Sequence, residues 1–141
     1  MVHLGGSCMS RFSAGHEFEP EAFIVNRALL RDYADASGDQ NPIHQNEEFA
    51  KSVGLEDVIA HGMFTMALAG RYVSQIAGSA AVKELSARFV KPVVVPANVD
   101  VELIVSGKVL ESDANSIKVE LTATCDGVKV LSAAKAVIVL R

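Results

Sequence analysis

The chain is poor in several things, and each shortage narrows what it can be. It has 141 residues with no tryptophan, four prolines and only two cysteines. Cys8 and Cys125 cannot build a disulfide framework, which fits a reducing, cytoplasmic setting. There is no excess of positive charge: 13 Lys and Arg against 17 Asp and Glu give a net charge of −4 and a pI near 5.5. Nucleic-acid binding normally needs a basic stripe, so no nucleic-acid partner is expected. No run approaches the roughly 18 consecutive apolar residues of a membrane span. The first residues lack the basic-then-apolar pattern of a secretory signal.

What remains is a small, apolar chain. Half the residues are hydrophobic and the mean hydropathy is +0.27. At this length one domain is expected, since domains commonly run to about 100–150 residues. Residues 1–10 have no useful period and read as a disordered leader or cloning remnant, with Met9 as an alternative start. The single domain is then 11–141. His3 and His16, near this end, read as surface histidines. A chain this apolar is also expected to bury surface against a second copy.

One stretch carries most of the chemistry. Ser-Gly-Asp-Gln-Asn-Pro-Ile-His at 37–44 puts a carboxylate, Asp39, and an imidazole, His44, on one loop. On a helix, five residues would separate them by about 140° around the axis. Pro42 removes that option by pushing Asn41 out of the helical region, so a turn can set both side chains on one side. Ile-Ala-His-Gly-Met at 59–63 then opens an apolar helix, with the unobstructed backbone N–H of Gly62 at its start. An acid/base pair beside an oxyanion-binding helix start suits adding water to, or removing it from, an activated acyl group.

The remaining elements follow from period and caps. A strand is expected near 18–25. A helix follows from Arg27, capped by Asn26, with Leu29, Leu30, Tyr33 and Ala34 on its apolar face and Gly38 past its end. Asn46 caps a short helix that ends before Gly54. The pattern predicts a helix over 62–77, closed by Gly78. Its polar residues form a narrow stripe (Arg71, Ser74, Gln75), so it is expected to be covered on nearly every side. The last third alternates with the period of strands, at 84–91, 97–111, 115–125 and 128–140. In the second of these Val99, Val101, Leu103 and Val105 share a face. In the third, Ile117, Val119, Leu121, Ala123 and Cys125 do. Asp126-Gly127 is a hairpin turn. Such short connections give an antiparallel sheet, and a curved sheet wrapped round the long helix is the simplest partner for it. The fold class expected is α+β.

The two-part motif, with Arg88-Phe89 and Pro92-Val93 further on, resembles the MaoC-like, R-specific enoyl-thioester hydratases and dehydratases of the hot-dog fold. The likeness runs from about residue 12 to the end. It implies a curved antiparallel sheet round a central helix, a side-by-side homodimer or a heterodimer with a paralogous hot-dog subunit, and an active site at the subunit boundary. It implies that Asp39 and His44 bind the catalytic water, that Asn41 supports the site, and that Gly62 gives an amide to the thioester oxygen. His61 and Met63 flank that glycine as supporting residues; His61 is expected to pack beside the helix start. Some CoA-directed members have serine five positions after the glycine, where this chain has Ala67.

The activity implied is reversible hydration of trans-2-enoyl thioesters, or dehydration of (R)-3-hydroxyacyl thioesters, carried on CoA or acyl carrier protein. No cofactor is expected, and no metal, because His44 and His61 lack a second close ligand pair. Of the pair, His44 suits the role of base, with an ordinary pKa near 6.5. Two rivals stand beside this. Hot-dog thioesterases resemble dehydratases that place a carboxylate on the central helix; here no Asp or Glu lies between Gly62 and Gly78. The other is a partner-dependent subunit of a heterodimeric acyl-carrier-protein dehydratase.

Overall fold

The computed structural model describes residues 12–78 and 81–139. The leader expected at 1–10, with His3 and Cys8, lies outside these, as does the expected strand end at Leu140. Six strands form one antiparallel sheet: β1 Glu17–Val25, β2 Val82–Phe89, β3 Val101–Ser112, β4 Ser116–Cys125, β5 Val128–Lys129 and β6 Leu131–Val139. Their order is β1-β3-β4-β6-β2, with β5 paired to β4 off that path. β1 and β2 are therefore the two edges. Pro20 sits in β1, where its missing N–H costs no interior ladder bond, and the register shifts between Phe18 and Glu21.

Among the described residues, three α-helices and a 3-10 turn before the second of them stand beside the sheet. α1 spans Arg27–Ser37, the 3-10 turn Pro42–His44, α2 Glu47–Ser52 and α3 Gly62–Ala77. Each of the first two α-helices starts as its cap residue dictates. The Asn26 side chain accepts from the Leu29 amide at 2.9 Å, and Asn46 does the same for Phe49 at 2.9 Å. Gly38 ends α1 in the left-handed region at φ 82°.

α3 runs along the concave side of the sheet. The Tyr72 hydroxyl donates to the Glu19 carbonyl in β1 at 2.7 Å, and the Arg71 guanidinium lies over the Phe23 ring. A Cβ on Gly70 would stand 3.3 Å from Leu85 in β2, and one on Gly107 in β3 would stand 3.4 Å from the Tyr72 ring. One helix thus touches both edge strands and an inner one, which requires the sheet to curl round it. Buried between them are Leu103, Val105, Val109, Ile117, Val119, Leu131 and Ile138. This is the α+β arrangement expected.

Several boundaries differ from expectation. α3 buries Thr65, Ala69, Tyr72 and Val73, but Met63 is 60% exposed and Ala67, Arg71 and Gln75 are exposed too. The helix is therefore not covered on nearly every side: the sheet curls round one flank, and a stripe four residues apart faces out. The strand expected at 97–111 begins only at Val101. Asn98 takes φ 60° in a turn after Pro96, and Val99 is exposed rather than on the core face. The last strand breaks at Val130, whose carbonyl accepts from Val90 while its amide donates to Ala123. Val130 thus ties the segment after β2 to β4, and β5 and β6 lie either side of it. On α1, Leu30 and Ala34 are buried, Tyr33 is half-buried and Leu29 is exposed. His16 is partly covered, set edge-on to Phe12 and Phe18.

Candidate active site

The loop after α1 holds itself by short-range hydrogen bonds. The Asp39 carboxylate accepts from the Asn41 amide at 3.2 Å, and the Asn41 side chain accepts from the Ile43 amide at 3.1 Å. These are the turn bonds that Asp and Asn make with backbone two residues on. They start the 3-10 turn that carries His44 inward, where it is 7% exposed. Asn41 itself is exposed and props the turn.

His44 and His61 meet face to face, ring centroids 3.8 Å apart at 24°. His61 is 1% exposed and stands at the cap position of α3. Its other side meets Tyr33 edge-on at 4.8 Å. The partners of these rings fix their tautomers, because a carbonyl oxygen only accepts. His44 Nδ1 lies 2.7 Å from the Ile59 carbonyl and so carries a hydrogen toward it, which makes Nε2 the acceptor in the neutral form of the ring. His61 Nε2 donates to the Asp39 carbonyl at 3.1 Å. Burial is the main cause that pushes the His61 pKa below the ordinary histidine value; the Asp39 carbonyl opposes it and the neighbouring His44 adds to it. His61 is therefore held neutral, and its Nδ1 is buried without a partner.

Asp39, His44 and His61 each present a ligating atom within 4.8 Å of the others. The turn folds Asp39 onto both histidines, which adds one ligating group to them and not a second pair. The donor set is one that a divalent cation could use. The stacking disfavours it, since imidazole binds a metal along a lone pair in its ring plane, and two nearly parallel planes aim side by side rather than at one point. The same three groups suit a water molecule held between a carboxylate and an unprotonated imidazole nitrogen.

Gly62 follows His61 directly and begins α3. It helps to line a cavity of about 320 Å³ with Ile59, Thr65, Phe89, Pro92, Val93 and others. The Phe89 ring lies over the glycine, 3.2 Å from where a Cβ would stand. Asp39 and His44 are not among the cavity walls; His44 adjoins the cavity through Ile59, whose carbonyl it holds and whose residue lines it. Met63 is not a wall either and points to solvent. Sequence reasoning missed Thr65, a polar residue on the buried face of an apolar helix; that position is the signal that could have found it.

Arg27 anchors the approach to this region. Its guanidinium donates to the Val95 carbonyl and forms ion pairs with Asp57 at 2.8 Å and Glu47 at 3.3 Å. It thereby ties the start of α1 to α2 and to the segment that leads to Ile59.

The chain is similar to several known proteins. The curated relative "3-hydroxyacyl-thioester dehydratase X" of Mycobacterium tuberculosis is 44% identical over 73 residues, covering 52% of this chain and 25% of that protein. A solved MaoC-like dehydratase superposes with a TM-score of 0.91 at 32% identity, over 94% of this chain and 42% of that one. The (R)-hydratase from A. caviae, involved in PHA biosynthesis, superposes at 0.80 with 21% identity, over 92% of this chain and 98% of its own, a likeness of fold. This chain spans only a quarter of the first relative's length. The MaoC-like domain model matches residues 12–128, which takes in the Asp39 turn, the His44–His61 stack and the start of α3, so the chain belongs to the MaoC-like domain family.

Proposed function

We propose that the chain catalyses the reversible hydration of trans-2-enoyl thioesters to (R)-3-hydroxyacyl thioesters, with the acyl group on CoA or on acyl carrier protein. One observation carries this reading: the Asp39 carboxylate and a ring nitrogen of His44 lie within 4.8 Å of each other, and His44 stacks on His61, the residue before the open start of α3. In hydration, a water held by Asp39 and His44 Nε2 attacks C3. The pair receives one proton of that water, and one proton is delivered to C2. Negative charge that builds on the thioester oxygen meets the Gly62 amide at the positive end of α3. Dehydration runs the same path backwards, with loss of the C2 proton and departure of the 3-hydroxyl as water. The absence of any acid between Gly62 and Gly78 speaks against a hot-dog thioesterase.

The chain is proposed to work as a homodimer. A heterodimer with a paralogous hot-dog subunit is the second reading, favoured by the exposure of Asp39 and of Met63, which leaves the site open on one side. The test is a hydration assay of the pure chain on crotonyl-CoA and on a longer enoyl thioester. Turnover is expected, with Asp39→Asn and His44→Ala each lowering it by about 10²–10⁴, the usual worth of a positioned acid or base. Unchanged turnover in both variants removes the site assignment. An inactive wild type restored by a second hot-dog protein moves the reading to the partner-dependent subunit.

A further inference from the structure

Thr65 is a buried residue whose hydroxyl has no hydrogen-bond partner among the described residues. It is 5% exposed and lies three residues after Gly62, on the same helix face, in the wall of the same cavity. A threonine or serine inside a helix commonly satisfies its hydroxyl on the carbonyl four residues back. Ser74 does this in α3, donating to the Gly70 carbonyl at 2.8 Å. Thr65 does not: among the described residues its hydroxyl takes part in no hydrogen bond. Nor is its oxygen sealed in, for the side-chain atom that is fully buried and unpartnered among the described residues is His61 Nδ1. The Thr65 oxygen therefore keeps accessible surface, and the cavity is the space its residue lines. A hydroxyl in such a place is free to bond water or a polar atom of whatever enters the cavity.

The direction of the side chain narrows what that something is. Every Cα–Cβ bond of a helix leans toward the N-terminus, so Thr65 leans back over Gly62. Gly62 has no Cβ to stand between them. The rest of the cavity wall is mostly apolar: Ile59, Phe89, Val90, Pro92, Val93 and Val130. A group bound there that reaches the Gly62 amide through an oxygen has the Thr65 hydroxyl as its next donor.

We propose that Thr65 is a catalytic residue that donates a second hydrogen bond to the thioester oxygen, beside the Gly62 amide. This rests on the hydratase reading above. The two donors together form the oxyanion site, and in the enolate-like transition state both bonds strengthen as charge moves to the oxygen. No new bond is made or broken at Thr65: the hydroxyl keeps its proton throughout.

The test uses Thr65→Val, which keeps shape and removes the hydroxyl, and Thr65→Ser, which keeps the hydroxyl. Thr65→Val is expected to lower kcat for crotonyl-CoA by about 10²-fold, the low end for loss of one oxyanion donor, with KM little changed and the melting temperature preserved. Thr65→Ser is expected to stay within a few-fold of the wild type. A second readout is spectroscopic. A 2,4-hexadienoyl thioester absorbs further to the red when its carbonyl is polarised; the shift on binding is expected to shrink in Thr65→Val and to persist in Thr65→Ser. A wild type that is active and sensitive to Asp39→Asn, but unaffected by Thr65→Val in rate and shift, overturns the Thr65 assignment and leaves the hydratase reading standing. Equal losses in Val and Ser with a fallen melting temperature also overturn it, as packing. A wild type without hydration activity or shift, alone and with a second hot-dog protein, removes both readings.

Discussion

At the scale of single residues, the centre of the site is a neutral histidine that holds two others in place. His61 grips the Asp39 backbone with one nitrogen and the His44 ring with its face, so both members of the pair depend on it. Its depressed pKa has a consequence for stability. The unfolded chain takes up a proton near pH 6.5 and the folded chain resists it, so in that range the unfolded state binds more protons and stability rises with pH. The contribution is fully present above about pH 6.5 and is lost as pH falls through the folded value. Melting temperature measured from pH 7.5 down to 5 is expected to decline below about 6.5, and His61→Phe to flatten that part of the curve. A curve in which the variant keeps the wild-type slope would assign the acid sensitivity to another group.

At the scale of elements, a close seam lies where α3 meets the sheet at Gly107. A Cβ there would stand 3.1 Å from Val119, 3.4 Å from Tyr72 and 3.5 Å from Leu121, all three buried. None of these is a free-swinging tip, so Gly107→Ala is expected to destabilise by about 1–3 kcal/mol through overpacking. Chemical denaturation of the pair checks it, and a loss below a few tenths would mean the seam is looser than drawn. The same elements show what was legible in advance. Asn26, Asn46, Gly38 and Gly78 mark helix ends by local chemistry, so α3 runs over 62–77 as its pattern predicts. The break at Val130 was not legible, because Val128-Lys129-Val130-Leu131 continues the apolar run while the split comes from hydrogen bonds to Val90 and Ala123 on other elements. At the site, Asp39 and His44 share one turn and could be paired by reading along the chain. The stacking of His61 on His44 joins residues seventeen apart through the docking of α3, and no period or cap announces it.

At the scale of the whole molecule, what decides the reading is what a single chain leaves uncovered. Met63 is 60% exposed, Phe89 54% and Val90 47%; Phe89 and Val90 line the cavity and Met63 follows Gly62. β2, which ends at Phe89, is an edge whose outer ladder is unpaired among the described residues. An unpaired edge is an open template for another strand, and at its Phe89 end this one carries exposed apolar side chains. Large apolar side chains at the mouth of the site are better buried, each worth about 1.5–3 kcal/mol when fully covered. Covering them with a second chain would also narrow the open side beside Asp39. Light scattering of the pure protein is therefore expected to give a mass near twice the chain's 15.0 kDa. Val90→Asp, placed just past the end of the edge strand and outside the proposed catalytic groups, is expected to shift the protein toward monomer and to lower hydration activity in step. A monomeric wild type with full turnover would show that one chain completes the site unaided; a dimer unaffected by Val90→Asp would move the contact to another face, with the outward stripe of Ala67, Arg71 and Gln75 on α3 as the next surface to probe.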